Sequence, residues 1–478
     1  MKDSESNIGE RRSQITLWAN VHSGSPCQDR LEADNNKEAC KPPTASTREK
    51  NGEQTNSQDL LEAILDPENL YAAYEQVKRN RGSHGVDGMT VNDLQEYLTT
   101  HDQELREALR SGNYIPSCVR RVEIPKPDGG KRKLGIPTVI DRMIQQAMAQ
   151  VLSPIFEPTF TNSSYGFRPG KNCHQAIRKA QRYMNEGNTW VVDIDLAKYF
   201  DTVNHDKLMA LVAKQVKDKR VLKLIRAYLN AGVMINGVVI ESHQGCQQGG
   251  PLSPLLSNVM LNQLDHELER RGHHYCRYAD DSQIYVKSKK AAKRVMASIT
   301  HYLEDKLKLK VNQRKSAIGR CWERKYLGFS FYRKKGRIRI RVHPKSLNKV
   351  KEKVRLITAR RNGWSMEHRL NKLRQLITGW VSYYQIADMK SHVKRLDQWT
   401  RRRIRMCFWR QWKNIKTRYK NLDKLGANRR KALRWAGTRK KCWRVANTMI
   451  LEITLRNAVL NDMGYCGFTE VYTQLRES

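Results

Sequence analysis

Three short stretches of this 478-residue chain hold side chains that could do chemistry together. In Arg277-Tyr278-Ala279-Asp280-Asp281-Ser282 two adjacent carboxylates precede the apolar run Ile284-Tyr285-Val286, as at the tip of a β-hairpin. Neighbouring strand residues point to opposite faces, so an Asp-Asp pair offers both carboxylates to one metal only where a turn breaks the pleat. The segment Trp190-Val191-Val192-Asp193-Ile194-Asp195-Leu196-Ala197-Lys198-Tyr199-Phe200-Asp201 reads as a buried strand closing on an acid and an aromatic. A carboxylate ending such a strand is costly without compensation, and a cation is the natural partner. Asp195 beside Asp280 and Asp281 would make an oxygen-only binuclear Mg²⁺ site, which stabilises both entering and leaving oxygens in phosphoryl transfer. Asp193, two residues away, reads as structural. Finally, Gly245-Cys246-Gln247-Gln248-Gly249-Gly250-Pro251-Leu252-Ser253-Pro254 opens a helical run over Leu255–Leu268. Its glycines permit close backbone approach, and a helix N-terminus favours anionic or nucleotide groups. Taken singly, each stretch also has a plain reading: a solvated turn, a strand end, a loop.

Positioning these groups requires a mixed α/β scaffold. Leu60, Leu61, Ile64, Leu65, Leu70 and Tyr74 recur at helical spacing before the Gly82–Gly88 loop, and a second amphipathic helix is expected near Val91–Arg110. Val119–Ile124 and Thr189–Ile194 read as strands, separated by a helix over Ile140–Ile155 and the turn-rich Thr161–Asn172. Beyond Lys345 strand patterns fade, while Leu370, Leu373, Ile377 and Trp380 mark one helical face, so the last third is expected to be largely α.

Charge narrows the class of partner. With 88 Lys and Arg against 48 Asp and Glu, the chain carries +40 and needs a polyanion, nucleic acid before an anionic membrane surface or an acidic protein. Residues 331–478 hold 39 basic and 9 acidic side chains, a net of +30, leaving +10 for the first 330. Residues 1–56 have nine acidic and eight basic side chains and no apolar periodicity, as expected of a disordered arm that is neither a basic clamp nor a transit peptide. The ten cysteines are scattered singly, which suits reduced thiols and disfavours a zinc ribbon or a zinc-bearing HNH nuclease. No apolar run of about 18 residues and no secretory pattern is present, so the expected location is a bacterial cytoplasm, with no membrane partner.

Taken in order, the first Asp, the Gln-Gly loop and the Tyr-Ala-Asp-Asp hairpin resemble the palm of the reverse transcriptases. Ile124-Pro125-Lys126-Pro127-Asp128-Gly129-Gly130-Lys131-Arg132-Lys133-Leu134-Gly135-Ile136-Pro137, then Ser164-Tyr165-Gly166-Phe167-Arg168-Pro169-Gly170, then Tyr326-Leu327-Gly328-Phe329 extend the resemblance to the reverse transcriptases of bacterial group II introns. The resemblance implies an α/β right-hand polymerase, with fingers and an antiparallel palm sheet, plus an α-helical thumb or maturase domain and a basic C-terminal tail. It divides the chain into an arm (1–57), an N-terminal extension that helps hold template RNA (58–115), fingers and palm (116–345), a maturase-specific X domain serving as thumb (346–424) and a basic DNA- and RNA-binding tail (425–478).

Site residues follow from the same resemblance. Asp195, Asp280 and Asp281 would bind two Mg²⁺ ions, with Leu196 lending its carbonyl; one ion would activate a primer 3′-hydroxyl and the other neutralise the triphosphate. Phe200 would stack under the sugar and select dNTPs over rNTPs. Lys126 and Arg132, flanking the Asp128-Gly129-Gly130 turn, would reach the triphosphate, and Gln248 would sit over the templating pair or the incoming sugar. Lys315 matches a family lysine near the palm, whereas Asp201 and His205 read as structural. Arg401, Arg402, Arg403, Arg405 and Arg410 interleave with Trp409 and Trp412, a composition suited to phosphate contact and base stacking. The tail, without paired cysteines, resembles intron proteins that lack an endonuclease domain, whose target DNA is primed by a nascent strand or an existing nick. The implied protein copies an RNA template from a DNA primer with dNTPs, and binds its group II intron RNA, as a ribonucleoprotein, to assist splicing and target-primed mobility. The alternatives are a domesticated intron-like reverse transcriptase used in phage defence or DNA repair, and a non-enzymatic RNA-binding splicing cofactor. Ala279, the residue intron enzymes usually carry there, weighs against the first, and the retained carboxylates weigh against the second.

Overall fold

A computed structural model describes residues 59–125, 130–235, 237–240 and 244–477. The expected arm over 1–57 lies outside them, as does Lys126. The chain forms two compact units, one from residues up to Ala176 together with Val192–Ile318, the other from Ile177–Val191 and Gly319 onward.

The first unit opens with α1 (Leu60–Ile64), α2 (Pro67–Asn80) and α3 (Leu94–Ser111), the helices anticipated from apolar spacing. Asp66 caps α2 by accepting from the backbone N–H groups of Glu68 and Asn69, with Pro67 in the first turn where its missing N–H costs nothing. Strands β1 (Val119–Pro125) and β2 (Lys131–Ile136) pair as an antiparallel hairpin, followed by α4 (Val139–Phe156) and, spanning the division between the units, α5 (Cys173–Asn185). Next come β3 (Trp190–Ile194), α6 (Tyr199–Thr202), α7 (His205–Gln215), α8 (Lys219–Asn230), β4 (Val233–Ile235), β5 (Val238–Ile240) and α9 (Ser253–Arg270). Strands β6 (His274–Tyr278) and β7 (Asp281–Val286) form a second hairpin, and α10 (Lys289–His301) and β8 (Ala317–Arg320), which like β3 spans the division, complete the set. Two sheets result, in the orders β2-β1-β4-β5 and β6-β7-β3-β8. Helix α9 is buried on nearly every side, from Leu255 and Leu256 through Met260, Leu261 and Leu264 to Leu268, as a helix enclosed by its own domain must be.

The second unit carries a small antiparallel sheet, ordered β11-β10-β9, from β9 (Lys325–Tyr326), β10 (Phe329–Lys334) and β11 (Arg337–Val342). In β11 the alternation of Arg337, Arg339 and Arg341 with Ile338, Ile340 and Val342 puts every cation out and every apolar side chain in. Past Val342 the described residues are helical: α11 (Pro344–Ile357), α12 (Met366–Tyr384) and α13 (Lys390–Gln411), then the shorter α14 (Ile415–Lys424), α15 (Arg429–Ala436), α16 (Cys442–Val445), α17 (Met449–Thr454), α18 (Asn457–Asp462) and α19 (Phe468–Glu477). Leu370, Leu373 and Ile377 line the buried face of α12, as their spacing predicts. The last helix is fixed to α13 by Asp397, whose carboxylate is buried and accepts from the N–H groups of Phe468 (2.7 Å) and Thr469 (2.8 Å) and from the Tyr465 hydroxyl (2.9 Å). Among the described residues no helix is long and apolar enough to cross a membrane.

Candidate active site and nucleic-acid interface

The Asp-Asp pair sits where the strand pattern demands. Tyr278 faces Asp281 at the end of the β6–β7 hairpin, which leaves Ala279 and Asp280 as a two-residue turn. Ala279 adopts φ +55°, in the left-handed region that costs a non-glycine residue about 1 kcal/mol. The turn breaks the pleat, leaving Asp280 exposed and Asp281 half-buried at the start of β7. Strand β3 is the neighbour of β7 in the sheet, and Asp195 follows its last residue.

Asp195 is held by the segment that leads into β8. Its N–H donates to the Ser316 hydroxyl (3.0 Å), its carbonyl accepts from the Asn312 N–H (2.8 Å), and its Oδ1 accepts from Asn312 Nδ2 (3.1 Å). Leu196 bridges to Val311, and the Ala197 N–H donates to the Lys310 carbonyl (2.8 Å). Lys315 is exposed on the same segment. Among the described residues no three ligating side chains stand as a preformed metal cluster. The donor set still suits a hard divalent cation: carboxylate oxygens at the ends of adjacent strands, with Asp195 held through its backbone by Ser316 and Asn312.

A cleft of about 390 Å³ lies against the β2-β1-β4-β5 sheet, lined there by Arg121, Lys133 and Val233, and also gathers Phe200, Gln248 and Lys198. The glycine loop forms one wall. Gly245 donates to the Val203 carbonyl and Cys246 to the Phe200 carbonyl, both at 2.7 Å. Gly135 donates to the Gln248 carbonyl (2.9 Å), and a Cβ on Gly249 (φ +135°) would stand 2.3 Å from the Gly135 carbonyl oxygen. The loop thus lies backbone against backbone on β2, an approach open only to glycine. His205 is structural, as expected, with Nε2 against the Gly245 carbonyl (2.6 Å) and Nδ1 against Asn230 Oδ1 (3.1 Å). Burial pushes the Cys246 thiol up to about 11, which leaves it a poor nucleophile.

The β1–β2 hairpin sorts the cations of this segment by face. Glu123 pairs with Lys133, Ile124 with Arg132 and Arg121 with Gly135, so the pleat puts Arg121 and Lys133 on one face and Arg132 on the other. Arg121 and Lys133 line the cleft, and Arg132 does not. Arg121, Lys133 and Lys198, which the sequence did not single out, are the cations that line the cleft. Register would have separated Lys133 from Arg132 had the turn length been known.

Helix α13 brings a correction. Trp409 and Trp412 are 2% and 7% exposed and pack edge to face, so neither presents a ring to a nucleobase. Four of the five arginines also turn inward. Arg402 lies 4.0 Å over the Trp443 ring and donates to its carbonyl (3.1 Å). Arg403 donates to Thr358 Oγ1 (2.5 Å), Arg405 to the Leu455 carbonyl (3.0 Å), and Arg401 lies over Tyr465. Long guanidinium side chains here cover apolar surface and satisfy carbonyls. Arg410 is exposed, and beyond it Lys416, Lys420, Lys424, Arg430, Arg434 and Lys440 are exposed on a stretch whose one acidic residue is Asp423.

Residues 124–331 match the reverse transcriptase (RNA-dependent DNA polymerase) family, and residues 347–426 match the group II intron maturase-specific domain. The chain is 38% identical over 301 residues to protein YkfC of Escherichia coli strain K12, covering 55% of this chain and 79% of that one. It is 35% identical over 207 residues to the group II intron-encoded protein LtrA of Lactococcus lactis subsp. cremoris, covering 43% of this chain and 34% of that longer one. Among solved structures, a partial Cas6-RT-Cas1–Cas2 complex is similar at 25% identity and a TM-score of 0.34, over 52% of this chain and 43% of that one. A hairpin turn bearing two carboxylates, a glycine loop seated on β2 and a helical maturase-specific region thus occur in one sequence, and the chain belongs to the group II intron reverse transcriptases, RNA-directed DNA polymerases that carry a maturase domain.

Proposed function

We propose that this chain extends a DNA primer on an RNA template and also binds its own group II intron RNA, as a cytoplasmic ribonucleoprotein, to assist splicing and target-primed mobility. The observation that carries the reading is the Tyr278–Asp281 hairpin end, which offers two carboxylates from a turn whose strand β7 neighbours β3, the strand that Asp195 follows. Asp195, Asp280 and Asp281, with the Leu196 carbonyl, would hold two Mg²⁺ ions. Bound there, the metal supplies the positive charge that favours an ionised primer 3′-hydroxyl and offsets charge on the triphosphate. The protein's own part is placement. Lys133 and Arg121 would draw the triphosphate into the cleft, Phe200 would support the deoxyribose, and Gln248 would border the templating pair. The second unit would hold RNA through the exposed cations from Arg410 to Lys440, without base stacking by Trp409 or Trp412. The proposed domain roles follow: template grip by residues 58–115, fingers and palm over 116–345, thumb over 346–424, and DNA or RNA contact by 425–478.

The test is primer extension and RNA binding on one preparation. Asp280→Ala is expected to abolish extension and leave intron RNA affinity within about threefold, because removing an exposed turn carboxylate disturbs no packing. Extension at the wild-type rate would refute the site.

A further inference from the structure

Behind the Asp-Asp turn lies a buried ion pair that the site as described does not use. Arg277, in β6, is 1% exposed, and Asp265, in α9, is 0% exposed. Asp265 takes Arg277 Nε at 2.9 Å and Nη2 at 2.5 Å. The remaining edge of the guanidinium, Nη1, donates to two acceptors at 3.0 Å, the Asn258 side-chain oxygen and the carbonyl of Ala279. Asn258 in turn donates through Nδ2 to the Gly166 carbonyl (2.8 Å). The Arg277 backbone continues the arrangement, its N–H donating to the Ser163 carbonyl and its carbonyl accepting from the Tyr165 N–H, both at 2.9 Å. Also on α9, the Ser257 carbonyl accepts from the hydroxyl of buried Tyr199, four residues past Asp195 (3.1 Å).

We propose that α9 is the brace that sets the spacing between Asp195 and the Asp280–Asp281 turn, and that Arg277 is its positioning residue, acting through the Ala279 carbonyl. The inference rests on the polymerase reading. The chemistry explains why a charge is used. Ala279 is held in the left-handed region, and a charge-assisted hydrogen bond to its carbonyl is stronger than one from a neutral donor. An ion pair sunk in a domain core is weak evidence for stability, since apolar residues of similar volume often replace such pairs without loss, and that gives the test its leverage.

The decisive variant is the double substitution Arg277→Met/Asp265→Leu, which nearly keeps volume, removes both charges together and deletes the Nη1 hydrogen bonds to Ala279 and Asn258. It is expected to melt within a few degrees of the wild type, to lose at least about tenfold in kcat for primer extension with the dNTP KM changed less than about threefold, and to show faster amide hydrogen exchange across residues 278–281. Arg277→Lys is read in parallel, because it keeps a cation against Asp265 and gives up the fork that reaches Ala279; the same kcat loss and faster exchange are expected. Wild-type kcat in whichever variant folds, or unchanged exchange at the turn, would overturn the proposal. If the wild-type protein itself extends no primer, the polymerase reading fails, and the exchange measurement still decides whether Arg277 holds the turn.

Discussion

Replacing Gly166 with alanine tests the geometry of the Asp-Asp turn from a residue that carries no functional group. A Cβ on Gly166 would stand 2.3 Å from the Ala279 nitrogen, 3.0 Å from the Tyr278 carbonyl carbon and 3.1 Å from the Ala279 Cα. All three are backbone atoms, so no side-chain rotation relieves the overlap. Ordinary contact begins at 3.4 Å, so the two segments must part by roughly 1 Å. Retreat of the Gly166 side is opposed by Asn258, which holds its carbonyl at 2.8 Å, so much of the shift falls on the turn. A displacement of about 1 Å at a reacting centre is worth on the order of 10²-fold in rate. Overpacking of this kind costs about 1–3 kcal/mol of stability. The expected result is a roughly hundredfold fall in kcat in single-turnover primer extension on an oligonucleotide template, with dNTP KM and RNA affinity nearly unchanged. Gly170→Ala is the control: Gly170 has φ +67° with nothing within 4 Å of the added Cβ, so it should cost about 1 kcal/mol of stability and leave kcat alone. Wild-type kcat in Gly166→Ala, or an equal loss in Gly170→Ala, refutes the reasoning.

Three further expectations concern other parts of the molecule. Lys133→Ala should raise the dNTP KM about tenfold, from the loss of a charge-assisted phosphate contact worth about 1.5 kcal/mol at an exposed position, while Arg132→Ala, on the opposite face, should raise it less than about twofold; steady-state extension at varied dNTP distinguishes them. Trp409→Ala should cost about 3–5 kcal/mol of stability in chemical denaturation, whereas Arg410→Ala should leave stability unchanged and weaken RNA binding in a salt-dependent way; the reverse pattern would restore Trp409 to the RNA surface. Arg270 and then Arg271 hold the Glu267 carboxyl down at about 2, so its stabilising contribution is fully present above the ordinary value of 4.5 and is lost as pH falls through about 2; melting of Glu267→Gln against wild type should show the gap closing across that window.

The hairpin was legible because its signals agree. Two adjacent acids, alternating apolar residues after them and a small residue before them are satisfied together only by a tight turn, and Tyr278 does face Asp281. The largely α character of the last third was equally plain from the spacing of Leu370, Leu373 and Ile377. Other features depended on quantities that a sequence does not display. Facing along β2 depends on the register of the β1–β2 pair, and a slip of one residue exchanges Arg132 for Lys133. In α13 composition gives the charge and hides its direction, because an arginine can lay its stem over Trp443 or Tyr465 as readily as reach for a phosphate.

The brace on α9 lies between these cases, since its members are each anomalous where they stand. Asp265 interrupts a run of buried leucines in α9, and Arg277 follows Tyr275 and Cys276, both buried, in β6. An uncompensated charge in either place would cost several kcal/mol, and two opposite charges so placed can relieve one another only by meeting. Which residues they meet is then fixed by topology: β6 leads directly into the Asp-Asp turn, so whatever neutralises Asp265 from that strand arrives two residues before Ala279. A lone acid in a buried helix and a lone arginine in a buried strand, separated by a short connection, are therefore a sequence signal for a fixed turn, and here that turn is the one that carries Asp280 and Asp281.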